Sequence, residues 1–375
     1  MSFLDNHAVN RVILHNGVQA LAQQGAGVFV FVFLLKAGVP AALVLCMIAA
    51  MVAGRFLLRP AVLPLARRLG LRASVVLGTV LQAAVFPLLP NVHGPGPLLA
   101  LVVGVGAVGS VIYWTCYHAY FAAIGDAGRR GGQVGAREAL AALVGIAAPA
   151  LAGWALVTAG PTILFGAAAL VQIAAAAPLI GAPEAPVPLD APGGFRAAAL
   201  GAALMASDGW FASAFYYLWQ IALFVSLGEG FARYGGAMTL SGLAGAAGSL
   251  LLGRMIDLGQ GRRSVFVAYG CGAAVAVLRA ASYGTPALAV AANALGATAT
   301  SLLTPAMMTR VYNLAKASPC TLRFHIAAEG GWDLGCGLGC LAAAGLLAAG
   351  GPMGAILLLG LAGAGAAATM LVRSY

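Results

Sequence analysis

The stretch AAEGGWDLGCGLGC, residues 327–340, sets two carboxylates, Glu329 and Asp333, four positions apart in an otherwise apolar run. On a helix that spacing puts both on one face. In apolar surroundings an ionised group is costly unless it lines water or meets a partner, so the pair is a candidate for reversible protonation. Asp208, in MASDGWFASAFYYLWQ, is a third such acid. Glu138, beside Arg137 in GAREALAALVG, is a fourth, although an acid at a helix start also complements the helix dipole. The alternative to a coupling role is a structural ion pair, with Arg279 or Arg323 as candidate partners.

Polar and aromatic residues recur on other runs at helical spacing. His15, Gln19 and Gln23 fall at i, i+4 and i+8 with Asn16 alongside, which marks one wet face. In IYWTCYHAYF, Tyr113, Tyr117 and Tyr120 share one face, and Trp114 and His118 another. Trp210, Tyr216, Tyr217 and Gln220 repeat the pattern, Asn293, Thr300 and Thr304 precede Pro305, and Trp332 lies between the two acids. An interfacial belt accounts for aromatics at helix ends; this density around a histidine exceeds that need and points to a cavity lining. For His15 and His118 a neutral, hydrogen-bonded state is the commoner case. Aromatic walls with acids attract organic cations, whereas the same walls with amides suit sugars and other polar neutral molecules. Both stay open.

The elements that must carry these groups are membrane helices. Of 375 residues, 62% are hydrophobic and 8% charged, and the mean hydropathy is +0.95. A soluble chain has roughly a quarter of its residues charged. Runs of about 20 apolar residues give twelve expected spans: 12–35, 40–62, 73–90, 97–124, 135–158, 161–181, 197–226, 234–256, 264–282, 285–312, 322–349 and 352–372. The Pro-rich stretch 182–196 is a connector between two six-helix halves, 1–181 and 197–375. The net charge of +10 comes from basic clusters between apolar runs, which argues against nucleic acid. Those clusters fall on alternate loops, so both termini and the connector are expected to face the cytoplasm. The first apolar run carries too many polar residues for a signal peptide.

Six cysteines show no C-x-x-C or Cys/His metal spacing; Cys336 and Cys340 share a face and read as small residues at a helix contact. No hydrolase, metalloprotease or P-loop motif is present, so neither an enzyme nor direct use of ATP is expected, and no cofactor or metal is called for.

The halves repeat one feature: Gly54-Arg55 and Gly253-Arg254 each precede a short basic turn and a new apolar run. In this, and in its twelve spans, the chain resembles the major facilitator superfamily, whose loop signature is G-x-x-x-D-R-x-G-R-R. Gly253, Asp257, Gly261, Arg262 and Arg263 match it with one extra residue; in the first half Gly70 and Arg72 fit, but Arg67 stands where the acid belongs. The resemblance implies an all-α bundle of two pseudo-symmetric halves, with cavity-lining first, fourth, seventh and tenth helices and these loops as the conformational switch. It also implies a secondary transporter with no cofactor, working as a monomer; the excess of Arg, Ala and Gly points to a GC-rich bacterial genome, and so to a bacterial inner membrane. An echo of the antiporter signature, at Ala148, Pro149, Ala152 and Gly153, tilts the expectation to proton-coupled export of a small organic compound. Proton-coupled uptake of a nutrient, and a non-transporting sensor or assembly factor on the same scaffold, are the alternatives.

Overall fold

The computed structural model describes residues 6–257 and 261–374, leaving aside the side chains of 127 and 249–257. Among the described residues, ten helical stretches are long and apolar enough to cross a membrane. Six precede the connector: α1 (His7–Lys36), α2 (Ala41–Leu69), α3 (Leu71–Asn91), α4 (Pro97–Ile124), α5 (Arg130–Thr158) and α6 (Pro161–Leu179). After it come α7 (196–226) and α8 (Phe231–Asp257). Then follow α9 (Gly261–Ser282), α10 (Pro286–Ala317), α11 (Thr321–Ala348) and α12 (Met353–Ser374). The twelve rods satisfy the demand that backbone N–H and C=O groups in lipid be paired within the chain. Leu57, Leu151, Trp154 and Leu170 are each more than 60% exposed, as lipid-facing side chains should be.

Helices α1–α6 pack among themselves, as do α7–α12, and the halves meet chiefly along two pairs, α2 on α11 and α5 on α8. At the second pair the backbones touch. A Cβ on Gly242 would lie 2.3 Å from the Gly145 carbonyl oxygen, and one on Gly235 2.5 Å from that of Pro149. The small residues expected on α5 therefore serve a helix crossing between halves.

Two local departures from the expected elements matter for function. The break after α2 is not a loop at position 62: α2 continues through Pro60 and Pro64 to Leu69, and the chain turns on Gly70 alone, at φ 84° and ψ 168°. That backbone conformation is open essentially to glycine only. Gly54 and Arg55, expected at a helix end, are consequently mid-helix. In α7 a π-helical turn at Ser213–Leu218 interrupts the rod, the kind of local irregularity common at functional sites.

The connector grips the first half's basic turn. Glu184 accepts from the Arg72 backbone N–H at 2.7 Å and pairs with its guanidinium at 3.4 Å. The Leu189 carbonyl accepts from both Arg67 of α2 and Arg323 of α11. An acid from the connector thus sits at the turn where Arg67 replaces the signature acid. Gly261 opens α9 with Arg262 and Arg263 exposed, position 253 lies within α8, and the side chain of Asp257 lies outside the described residues.

Candidate functional site

A buried ionic network joins the halves where α2, α4 and α11 meet. Arg55 Nε lies 3.0 Å from Asp333 Oδ1, and its Nη2 3.5 Å from Glu329 Oε2. Arg59 pairs with Asp333 Oδ2 and donates to Thr115 Oγ1 at 2.7 Å. His118 Nδ1 is 2.5 Å from Glu329 Oε1. All these side chains are buried, Glu329 and Asp333 to 3% and 2% exposure. The sequence spacing of the acids does place them on one face of α11; that face meets two arginines of α2 one helical turn apart. Their partners are therefore neither Arg279 nor Arg323. Two cations against two carboxylates leave the network neutral, which is what a buried ion cluster requires.

Asp208 differs. Its Oδ2 accepts from Trp332 Nε1 at 3.1 Å, and no arginine or lysine lies within ion-pair distance among the described residues. Trp332 in turn stacks under the Arg55 guanidinium, 5.3 Å from centroid to Cζ. Arg279 of α9 is the mirror case, a cation without a carboxylate among the described residues. It is 4% exposed, lies 4.0 Å from the Phe215 ring and 4.8 Å from that of Trp219, and donates to the Phe215 carbonyl within the π-helical turn at 2.5 Å. Gly296 makes room for it, since a Cβ there would lie 1.9 Å from Arg279 Nη2.

Three adjoining cavities occupy the space between the halves. One of about 290 Å³ is lined by Gln23, Glu138, Tyr216, Gln220, Arg279, Asn293 and Thr300. A second, about 270 Å³, holds Trp114, His118, Asp208, Thr304, Glu329 and Trp332. The third, about 350 Å³, shares Arg55, Trp114 and Tyr217 with the second and Gln23 and Gln220 with the first. Tyr216 belongs to the walls of the first two. Contacts across the halves flank this space on both sides: Phe121 against Tyr312 towards the connector end, and Phe31 against Tyr217 towards the other.

Several residues expected to face the chamber lie elsewhere. His15 is fully buried, 2.6 Å from the Ala175 carbonyl and 3.1 Å from the Tyr113 hydroxyl. Asn16 accepts from Tyr117, and Gln19 donates to Gln82 at 3.1 Å, in an amide ladder that also includes Gln172 and Gln23. The polar stripe of α1 thus faces α3, α4 and α6 inside the first bundle, and its last member, Gln23, lines two of the three cavities. Trp210 donates to the Leu359 carbonyl of α12 at 2.8 Å, inside the second bundle. Each group bonds to neighbouring helices, the alternative to a wet face that spacing cannot distinguish, and Gln19 Oε1 is left without a partner among the described residues. Glu138 pairs with Arg137, which also donates to Tyr312 of the other half at 2.9 Å.

Sequence reasoning misses Arg59, Thr115, Tyr312 and His325, and names Arg279 only as a candidate ion-pair partner. The signal for Arg59 was available, because it stands four positions after Arg55 and shares its face. His325 stands four before Glu329 in the same way, and lies beside His118 with ring centroids 5.6 Å apart.

Among the described residues, twelve helices, six on each side of the connector and crossing along α2–α11 and α5–α8 around central cavities, have the fold of major facilitator transporters. No family profile and no curated protein sequence matches the chain. The likeness is three-dimensional. The human organic anion transporter MFSD10 (TETRAN) aligns with a TM-score of 0.71 at 15% identity, covering 97% of this chain and 99% of that one. FucP, a major facilitator transporter crystallised in the outward conformation, aligns at 0.66 and 14% identity over 99% and 98%. A variant of the E. coli fucose:proton symporter FucP gives the same values. At such identities the fold is shared and activity must be argued from the site.

Proposed function

We propose that the chain is a secondary transporter that exports a small organic anion with an aromatic or apolar body, by alternating access of its halves in exchange for protons. The observation that carries this reading is Arg279: a buried cation with no carboxylate partner among the described residues, on the wall of a central cavity. An uncompensated charge out of water costs several kcal/mol; the rings of Phe215 and Trp219 offset part of that, and a bound anion offsets the rest. Tyr216, Gln220, Asn293 and Thr300 supply further polar contacts around it. Support from outside the chain is modest: one structure of the same fold is described as an organic anion transporter, and another as a proton symporter.

Of the acids expected to couple protons, Glu329, Asp333 and Glu138 each have an arginine partner, whereas among the described residues Asp208 has only an indole N–H. Asp208 is the carboxylate whose charge the protein leaves free to change, so it is the coupling residue in this reading. Protonation there and anion binding at Arg279 would each favour one arrangement of the halves, which is the energetic requirement for coupling. The direction rests on the small-residue segment of α5. The basic turns support a cytoplasmic connector end, and a bacterial inner membrane is part of the same reading.

A thermal-shift screen with aromatic carboxylates, organic cations and sugars tests the ligand class, followed by flux in proteoliposomes under an imposed pH gradient. Stabilisation by carboxylates in the wild type, absent in Arg279→Gln, supports the proposal, with pH-driven flux lost in Asp208→Asn. Stabilisation by cations or sugars alone, or carboxylate binding unchanged in Arg279→Gln, overturns it.

A further inference from the structure

His325 lies on α11 at 0% exposure, and neither of its ring nitrogens has a hydrogen-bond partner among the described residues. An imidazole always carries at least one N–H donor or lone pair that needs satisfying, and a buried orphan is a cost that native structures rarely tolerate without a reason. What faces His325 gives the reason. Glu329, one turn further along α11, and His118, from α4 of the other half, bring one donor atom each to the same point, all three within 4.8 Å of one another. We propose that His118, His325 and Glu329 form a binding site for a divalent transition-metal ion of the zinc class, spanning the two halves.

The donor set selects the class of ion. Two imidazoles and a carboxylate suit zinc and its borderline neighbours, whereas calcium and magnesium require oxygen ligands. Metal–ligand bonds of about 2.0–2.1 Å in a tetrahedron put donors roughly 3.3 Å apart. The donors here lie within 4.8 Å of one another, so the widest separation must close by about 1.5 Å when an ion binds. Three protein ligands leave one position for water, and the central cavity that His118 and Glu329 line provides the route in.

The carboxylates are divided in a way that suits the ion, although it adds two positive charges to a network that is neutral without it. Glu329 turns Oε1 towards His118 and Oε2 towards Arg55. Arg55 is nearer to Asp333, at 3.0 Å, than to Glu329, at 3.5 Å, so it keeps a carboxylate when Glu329 turns to a metal. The ion therefore replaces one short His118–Glu329 contact and ends the isolation of His325. Because α4 and α11 come from different halves, all three ligands are available only while the halves are apposed at this level, and metal favours that arrangement. The site does not depend on the transport reading.

The test is titration of chelator-stripped, purified protein with zinc chloride by calorimetry, and with cobalt chloride by visible absorption. One ion per chain is expected, with a four-coordinate cobalt spectrum. His325→Ala, His118→Ala and Glu329→Gln should each weaken zinc by at least about tenfold, and replacing the exposed His7 and His93 should change nothing. Zinc should slow hydrogen exchange in 112–124 and 321–335 of the wild type, and not in His118→Ala. Absence of saturable stoichiometric binding in the wild type overturns the proposal, as does equal zinc affinity in a folded His325→Ala. Should the alanine variants not fold, the wild-type cobalt spectrum decides: a six-coordinate or featureless one refutes the site.

Discussion

Replacing Asp333 by Asn removes one charge from the α2–α11 network and nothing else of comparable size. Among the described residues, Arg59 then keeps the Thr115 hydroxyl, and Arg55 keeps Glu329 at 3.5 Å and the Trp332 ring. Coulomb attraction between charges about 4 Å apart at an effective dielectric near 20 is about 4 kcal/mol. Stranding one member of a buried pair is observed to cost about 3–5 kcal/mol. Two routes therefore converge on about 4 kcal/mol. For a chain of this length, an unfolding entropy of about 2.1 cal/mol/K per residue gives about 0.8 kcal/mol/K, so the transition should fall by about 5 °C. Differential scanning fluorimetry in detergent measures it. The double variant Asp333→Asn, Arg59→Gln removes both charges, leaves Arg55 facing Glu329, and should recover most of the loss, to within about 1 kcal/mol of wild type. The reasoning is refuted if the single change costs less than about 1 kcal/mol, or if the two single losses simply add in the double variant.

Gly242→Ala drives a Cβ to 2.3 Å from the Gly145 carbonyl oxygen; forcing apart two backbones should cost about 1–3 kcal/mol and lower disulfide trapping between cysteines placed on α5 and α8. Gly296→Ala displaces the Arg279 guanidinium rather than backbone, so it should abolish carboxylate-induced thermal stabilisation while changing the unliganded melting point less than Gly242→Ala does. Tyr113→Phe removes the hydroxyl bonded to His15 and should cost about 1 kcal/mol with no change in ligand stabilisation; lost ligand binding would return the α1 stripe to the chamber. Gly70→Ala imposes a side chain where φ is 84° and Glu184 occupies the space, and a loss of about 1–3 kcal/mol in thermal or denaturant unfolding is expected.

Much of the architecture was legible in the sequence because solvent imposes it. An apolar chain with 8% charged residues has few ways to exist outside lipid, and lipid forces each span to be a helix of predictable length. The proline-rich stretch and the alternation of basic clusters then gave the connector. Boundaries were less certain where a helix continues past its apolar run: α2 carries Arg55, Arg59 and Arg67 yet runs unbroken to Leu69, since tertiary partners, and not hydropathy, satisfy its charges. For the same reason the sequence sets Arg55 at a helix end, whereas it stands mid-helix.

Helical spacing determined which residues share a face: Glu329 with Asp333, and His15 with Gln19 and Gln23. It could not determine what each face meets, because every helix in a bundle has several neighbours and a polar stripe is equally satisfied by water, by another bundle helix or by the opposite half. Only the tertiary structure set the acids of α11 against Arg55 and Arg59, and closed His15 inside the first bundle. It alone left Asp208 and Arg279 without ionic partners among the described residues, and brought His118 to His325 across more than 200 positions of chain. Pairing energies depend on distances between side chains far apart in sequence, and those distances exist only after the halves have packed.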